Sequence, residues 1–223
     1  MRVAVLASGG KDSALALHHV KEMGYDVALL ATMIPLRDDS WMFHYPNIRL
    51  MDLFAEAVDI PLVKAETSGV KEKELDDLKN LIKSMNVEGI VTGAIASNYQ
   101  KERIDKICQD LHLKSIAPLW HRDPIELLQE VVRLKFEVII VGVYAQGFSE
   151  EWLGRKIDVS TIEDLSKLSK QYGVSLVGEG GEYETLVLDA PFFRRKIEIL
   201  SARKVWKGQS GLLEISEARL GNK

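Results

Sequence analysis

The sequence predicts an α/β protein in which a Rossmann-like, doubly wound parallel sheet is followed by a smaller C-terminal α/β domain. Short apolar runs alternate with amphipathic stretches over the first two thirds of the chain, and this alternation is typical of βαβ units in a parallel sheet. After about Val143 the pattern changes to polar, glycine-punctuated segments and extended runs. We therefore predict a first domain at residues 1–145 and a second at residues 146–223.

Each predicted element follows from a local pattern. Apolar residues at helical spacing, such as Ala14, Leu17 and Val20, separate the predicted strands of the first domain. These strands are residues 3–7, 27–33, 62–65, 90–93, 115–117 and 138–143. In the second domain, Ser160 and Glu163 have capping-box spacing for a helix that ends near Tyr172. Three extended runs follow near residues 185–188, 196–200 and 212–216.

Composition excludes several classes of protein. The 223 residues are 46% hydrophobic and 28% charged, which is ordinary for a globular chain. A net charge of −4 argues against a broad nucleic-acid-binding surface, so we expect no direct nucleic-acid partner. No apolar run has membrane-spanning length, and Met1 leads directly into a strand without a signal peptide. A single cysteine, Cys108, permits no intramolecular disulfide. We expect a cytoplasmic protein without membrane contact.

The run from Ser8 to Ser13 joins the first strand to the first helix. Its sequence is Ser8-Gly9-Gly10-Lys11-Asp12-Ser13. A turn at this position directs backbone N–H groups at one spot, beside the positive end of a helix dipole, and glycine lets an anion come close. Lys11 adds a positive charge, and Asp12 can hold a magnesium ion that bridges phosphates. The spacing is not that of a P-loop, GxxxxGK followed by Ser or Thr. The run indicates a polyphosphate site; the alternative is a Gly-Gly turn with solvated charges.

A second glycine-opened loop, residues 93–100, follows the fourth predicted strand. Because carboxyl ends of parallel strands share one edge of a sheet, this loop is expected beside the first one. We predict nucleotide contacts for Gly93, Ala94 and Ser97, and substrate contacts for three further residues, Tyr99, Gln100 and Arg103. The alternative is an ordinary loop in which Ser97 or Asn98 caps the next helix.

A third unusual segment, residues 178–185, holds three glycines and three carboxylates. The glycines indicate a distorted backbone with exposed N–H groups, and the carboxylates repel each other unless cations lie between them. The alternative is a flexible, solvated hairpin. We predict substrate contacts for Glu179, Glu182, Tyr183, Glu184 and Thr185.

Two features remain open from the sequence. Residues 38–45, from Asp38 to Tyr45, combine charge with large apolar groups, which suits a lid, a substrate contact or packing equally well. Cys108 lies on the apolar face of a predicted helix and is interpreted as a small hydrophobic residue.

The three motifs occur together and in this order, and the combination resembles the diphthine–ammonia ligases (diphthamide synthases). These enzymes are a branch of the N-type ATP pyrophosphatases, which have the PP-loop SGGxDS and an adenine nucleotide alpha hydrolase-like fold. The resemblance implies that ATP activates the diphthine carboxyl of elongation factor 2 and that ammonium displaces AMP, with pyrophosphate as the other product. It also implies ATP and Mg²⁺ as cofactors, with Lys11, Asp12 and Ser13 as catalytic residues and Asp12 as the metal ligand.

Loop placement refines this expectation. The phosphates are expected on Ser8, Gly9, Gly10, Lys11, Asp12 and Ser13. The adenine is expected near Thr32 and Met33, where backbone groups can read its edge. Diphthine carries a trimethylammonium group, which Tyr183 with Glu182 and Glu184 can hold; magnesium binding by Glu182 is the rival interpretation.

Two other functions remain open from the sequence. One is a tRNA-modifying PP-loop enzyme, although the chain lacks the usual cysteine set and a basic appended domain. The other is a non-catalytic nucleotide-binding module of the universal-stress type. The sequence also leaves the oligomeric state open, a homodimer included.

Overall fold

The computed structural model describes residues 1–36, 47–68 and 71–223. It divides into two compact units. The first comprises Met1–Ser8, Asp12–Glu56 and Ile60–Trp120. The second comprises Gly9–Lys11, Ala57–Asp59 and His121–Lys223.

The first unit contains a five-stranded parallel sheet. Its strands are β1 (Arg2–Leu6), β2 (Asp26–Pro35), β3 (Leu62–Thr67), β4 (Gly89–Val91) and β5 (Lys114–Ile116). Their spatial order is β3-β2-β1-β4-β5, and every pairing is parallel. The order reverses at β1, which defines a doubly wound, Rossmann-like sheet and confirms the predicted fold class.

Helices alternate with these strands along the chain. They are α1 (Lys11–Glu22), α2 (Met51–Val58), α3 (Lys71–Lys83) and α4 (Asn98–Asp110). On one side of the sheet, Leu78 and Ile82 of α3 and Ile104 of α4 form a buried cluster with Ile90 of β4. Central strands that are covered on both faces must be apolar throughout, and Val3, Ala4 and Val5 of β1 are fully buried. The loops after β1 and β4 therefore start from the best-buried strands of the sheet.

The second unit contains a four-stranded sheet of order β7-β6-β9-β8, in which every pairing is antiparallel. Its strands are β6 (Glu137–Val143), β7 (Tyr183–Asp189), β8 (Lys196–Lys207) and β9 (Ser210–Gly221). Its helices are α5 (Pro124–Arg133) and α6 (Val159–Tyr172).

The position of β6 differs from the sequence-based expectation. Residues 138–143 were expected in the parallel sheet, but β6 lies between β7 and β9. A continuous apolar run indicates a central strand, and this one is buried along nearly its whole length, but such a run does not specify its partners. The predicted boundary at residues 145 and 146 falls after β6, whereas the two units divide at Trp120 and His121.

The start of α6 also differs from the prediction. The N-cap is Asp158, whose Oδ1 accepts the Thr161 N–H at 2.8 Å and the Ser160 hydroxyl at 2.8 Å. These hydrogen bonds stabilise the ionised carboxylate and lower the pKa of Asp158. Ser160 therefore donates to the N-cap residue and is not the N-cap itself. The predicted end at Tyr172 is confirmed, and Gly173 follows in the left-handed region at φ 72°.

None of the helices within residues 1–36, 47–68 and 71–223 is both long and apolar enough to cross a membrane.

Candidate functional site

In the first unit, the start of α1 brings two serines together. Ser13 Oγ lies 3.3 Å from the Ser8 Oγ and also accepts the Ser8 N–H at 3.3 Å. Ser13 is buried, whereas Asp12 in the first turn of α1 is partly exposed. A carboxylate at this position is favoured by the helix dipole. The start of α1 therefore has a partly exposed Asp12, and the hydroxyls of Ser8 and Ser13 are in contact.

Gly93, after β4, lies against the first turn of α1 without clearance for a side chain. A Cβ on Gly93 would lie 2.7 Å from the Asp12 carbonyl carbon and 2.8 Å from the Ser13 nitrogen. Real Cβ atoms do not approach backbone atoms this closely, so glycine is required here by space. The prediction that the two glycine-opened loops share one edge of the sheet is confirmed.

The rest of the second motif builds the start of α4. Ala94 is buried, and Ser97 caps the helix by accepting the Gln100 N–H at 3.4 Å. The Arg103 guanidinium stacks on Tyr99, with Cζ 3.4 Å from the ring centroid, and its Nη1 donates to the Tyr99 carbonyl oxygen at 3.1 Å. Ser97 is therefore the N-cap of α4, and its contact with a nucleotide stays a prediction. Arg103 is partly exposed over an aromatic face.

Thr32 and Met33 are both buried in β2. The Thr32 hydroxyl donates to the Ala7 carbonyl oxygen at 2.7 Å. The last pair of β2 with β1 is Leu6↔Ala31, whereas β2 continues beside β3 as far as Pro35. The backbone of the last residues of β2 therefore extends past the end of β1. Any contact of Thr32 and Met33 with an adenine must come from this backbone and not from their side chains.

In the second unit, Gly9–Lys11 is attached to β7 and to the segment before it. The Thr185 Oγ1 accepts the Lys11 N–H at 3.1 Å, and the Val187 N–H donates to the Gly9 carbonyl oxygen at 2.9 Å. The Lys11 ammonium donates to the Val177 carbonyl oxygen and lies 5.0 Å from the centroid of the Tyr183 ring.

The positive charge that Lys11 adds to this run is buried. Its side chain is only 3% exposed. An ammonium that is taken out of water must be hydrogen-bonded or paired, because an unsatisfied buried charge is very unfavourable. The Val177 carbonyl oxygen and the Tyr183 ring supply these contacts within the second unit.

The predicted pocket of Tyr183, Glu182 and Glu184 is not built as a unit. Tyr183 is 2% exposed, and its hydroxyl donates to the Leu176 carbonyl oxygen at 2.6 Å. Consecutive strand residues point to opposite faces of a sheet, so Tyr183 and Glu184 of β7 lie on different faces. Since Lys11 already lies over the Tyr183 ring, that ring is a poor candidate for a second cation.

The three carboxylates of the third motif have separate surroundings. Glu182 Oε1 accepts the Ser175 N–H at 3.1 Å, and the Glu179 N–H donates to Ser175 Oγ at 3.4 Å. Burial, and secondly the negative charge of Glu184, raise the pKa of the Tyr144 hydroxyl.

The glycines of this motif shape turns. Gly178 and Gly181 have φ values of 70° and 80°, which glycine adopts without strain. The Gly178 N–H donates to the Ser175 carbonyl oxygen, and the Gly181 N–H donates to the Gly178 carbonyl oxygen. The expectation of exposed N–H groups is therefore wrong for these two glycines.

A magnesium ion suits the first motif by the chemistry of its donors. Across the residues that the structure describes, no group of three His, Cys, Asp or Glu side chains is arranged to hold a metal. Magnesium bound with a nucleotide needs only one or two carboxylates, because phosphates and water complete its shell. Asp12, partly exposed in the first turn of α1, meets that requirement.

The segment 38–45, for which the sequence leaves a lid, a substrate contact and packing open, lies outside the described residues.

Cys108 is buried in α4, as expected. Burial, and secondly the charge of Asp105, raise the pKa of the Cys108 thiol to about 11.

Two further residues lie near the third motif but were not identified from the sequence. The Val177 carbonyl oxygen accepts from the Lys11 ammonium. Every residue has a backbone carbonyl, so the residue type at position 177 does not reveal this role. Tyr144 follows β6 directly, and its hydroxyl is close enough to Glu184 to feel that negative charge.

Two protein-family models match this chain, one after the other. Residues 1–115 match the diphthamide synthase N-terminal domain, and residues 123–220 match the diphthamide synthase C-terminal domain. The diphthine–ammonia ligase of Bos taurus is 38% identical over 228 residues, covering 92% of this chain and 85% of the relative. The chain belongs to the diphthine–ammonia ligase family. The Mus musculus member is 34% identical over 243 residues, covering 99% of this chain and 91% of the relative.

One solved structure is a weaker match. It is described as a predicted subunit of tRNA methyltransferase from Methanocaldococcus jannaschii and is 15% identical, covering 86% of this chain and 98% of that chain with a TM-score of 0.46. A similarity at this level supports no conclusion about function.

Proposed function

We propose that this protein is a ligase that converts diphthine on elongation factor 2 to diphthamide. The reaction consumes ATP and ammonium and releases AMP and pyrophosphate. The observation that carries this proposal is the similarity to diphthine–ammonia ligases, which extends over 92% to 99% of the chain in the two relatives described. Both halves of the chain match the corresponding domains of the family.

The first motif suits the chemistry of activating a carboxylate. A carboxylate is a poor acyl donor, and transfer of AMP to its oxygen gives it a good leaving group. The start of α1 offers a helix dipole and the Ser8 and Ser13 hydroxyls to the phosphates. Asp12 would hold a magnesium ion there, which would neutralise charge on the departing pyrophosphate.

The nucleotide base is assigned to the backbone at the end of β2. The side chains of Thr32 and Met33 are buried, but their strand continues beyond β1. Backbone N–H and C=O groups in such a position can pair with the edge of an adenine. Gly93 and Ala94 would then line the same edge of the sheet, since Gly93 lies against the Asp12 backbone.

The protein substrate is assigned to two groups of residues. In the first unit, Arg103 is stacked on Tyr99 beside Gln100 and can meet the carboxyl group of diphthine with a positive charge. In the second unit, Glu179, Glu182 and Glu184 are the candidates for the trimethylammonium group. Tyr183 is left out of this assignment because Lys11 lies over its ring.

Free ammonium is the proposed nitrogen donor. A glutamine-dependent amidotransferase needs a nucleophilic thiolate, and Cys108 is the only cysteine of the chain. Its burial and its raised pKa keep it in the thiol form near neutral pH.

The test is an assay with diphthine-bearing elongation factor 2, ATP, magnesium and ammonium. Mass spectrometry of the modified histidine should show the amide, and separation of nucleotides should show AMP and pyrophosphate in equal amounts. Omission of ammonium is the control and should stop amide formation. ADP as the main product, or an unchanged histidine with all components present, would exclude the proposed reaction.

A further inference from the structure

Residues of β7 and a residue just before the third motif hold Gly9–Lys11. Thr185 and Val187 of β7 bind consecutive parts of this short segment, the Lys11 N–H and the Gly9 carbonyl oxygen. Val177 binds the Lys11 ammonium. All of these residues belong to the second unit. Gly9–Lys11, a part of the proposed phosphate-binding run, is thus hydrogen-bonded to residues 177, 185 and 187.

The contact between Thr185 and Lys11 is directional. Lys11 is the first residue of α1, so its N–H is one of the helix donors that lack a partner inside the helix. The Thr185 Oγ1 supplies that partner in a buried position. Because threonine is β-branched, its χ1 angle is restricted and the acceptor is held in one place. The Thr185 side chain therefore helps to fix the position of the first N–H of the helix.

We propose that Thr185 is a positioning residue for the reaction, which acts by fixing the backbone of Gly9–Lys11 and so the start of α1. This inference rests on the proposed function, because the loop matters for rate only if it binds the phosphates of ATP. Small errors in the placement of groups around a reacting centre lower rates strongly. Thr185, at the end of the third motif (residues 178–185), thereby has a role that needs no contact with the substrate.

The test compares variants that differ in one hydroxyl. Thr185→Val removes the acceptor at nearly constant volume, and Thr185→Ser keeps it. Thr161→Val is the matched control, because Thr161 in the first turn of α6 is also buried and its hydroxyl donates to the carbonyl oxygen of Lys156, before the helix, at 2.6 Å. For each variant we would measure thermal unfolding, hydrogen exchange of the Lys11 amide, and AMP formation at saturating ATP.

Loss of a buried hydrogen-bond partner changes the equilibrium between the ordered and the displaced backbone by roughly tenfold or more. Thr185→Val should therefore raise exchange at the Lys11 amide about tenfold and lower kcat for AMP formation by about the same factor. Thr185→Ser should stay within about threefold of the unchanged protein in both measurements, since it retains the acceptor. Thr161→Val should lower the melting temperature but leave both readouts unchanged.

Three results would overturn the proposal. One is unchanged exchange at Lys11 in folded Thr185→Val. Another is unchanged kcat in that variant, and the third is an equal loss of kcat in Thr161→Val. If Thr185→Val does not fold, Thr185→Ala takes its place in the same comparison. If the unchanged protein forms no AMP, the proposed function fails, whereas the exchange measurement still decides whether Thr185 fixes the backbone.

Discussion

Neighbouring residues of the run from Ser8 to Ser13 are held in two different ways. Gly9–Lys11 groups with the second unit and is held by hydrogen bonds from β7 and from Val177. Asp12 and Ser13 group with the first unit, where their backbone touches Gly93 without clearance for a Cβ. Hydrogen bonds can be removed one at a time, so the destabilisation grows in steps. The close contact at Gly93 leaves no space for even one added atom, so a single methyl group displaces the backbone.

The largest expected effect comes from Asp12→Ala. This change removes the proposed magnesium ligand and leaves the hydrogen bonds of Gly9–Lys11 and the close contact at Gly93 in place. Losing one electrostatic contact made in the transition state typically costs about 3 kcal/mol or more, roughly a hundredfold in rate. AMP formation should fall by at least this factor, while ATP still binds weakly through the backbone. Single-turnover AMP formation and ATP affinity with magnesium are the measurements. Asp110→Ala, at a surface ion pair with Lys79, is the control; near-normal turnover of Asp12→Ala would contradict the assignment.

The steric half of the comparison is tested by Gly93→Ala beside Gly181→Ala. The added methyl at Gly93 meets the Asp12 backbone, and forced displacement of packed groups costs typically about 1–3 kcal/mol. At Gly181 the methyl meets nothing within 4 Å, but φ is +80°, so the cost is conformational, on the order of 1 kcal/mol.

Chemical denaturation should show both variants destabilised. Only Gly93→Ala should weaken ATP binding, by roughly tenfold, because only that methyl displaces the start of α1. Calorimetric titration with ATP measures this difference. Equal ATP affinities for the two variants would mean that close approach at Gly93 is unimportant for the nucleotide.

The hydrogen-bonded half is tested by Lys11→Met. This change leaves the buried Val177 carbonyl oxygen without its donor, at a cost of about 1–3 kcal/mol of stability. We expect kcat to fall by less than about tenfold, because the ammonium donates to the Val177 carbonyl oxygen and its loss acts through the placement of this segment.

A double-mutant cycle with Thr185→Val sharpens this prediction. Effects that act through one shared arrangement are smaller together than the sum of their free energies, whereas independent effects add. We therefore expect the double variant to lose less activity than the product of the two single losses. Full additivity together with a hundredfold loss in Lys11→Met would instead indicate direct contact with phosphate.

The smallest effect is expected at Cys108, on the same helix α4 whose first two turns hold Tyr99 and Arg103. Cys108→Ala should leave AMP formation within about twofold, since a buried residue outside a site changes stability more than chemistry. With its pKa raised to about 11, the thiol is about 0.1% ionised at pH 8. Alkylation at pH 8 should be slow in the folded protein, increase as the pH rises towards 11, and become fast in denaturant. Rapid alkylation of the folded protein at pH 8 would contradict a buried thiol.

The sequence by itself determined the elements that depend on neighbouring residues. The apolar runs of the first unit became strands near their predicted places, and the Gly-Gly turn between β1 and α1 followed from adjacent residue types. The doubly wound class followed from the alternation of strands and helices. The cap of α6 was also a local matter, and Asp158 was overlooked although it directly precedes the helix.

Only the tertiary structure decided which partners distant residues meet. Thr185 and Lys11 are separated by 174 positions in the chain, so no periodic pattern links them. The same applies to the membership of β6 in the second sheet and to the burial of Lys11 against Tyr183. Local patterns report how a residue prefers to bend and which side it buries. Partners across the chain depend on how complete elements pack, because hydrogen bonds and steric contacts form only once those elements are brought together.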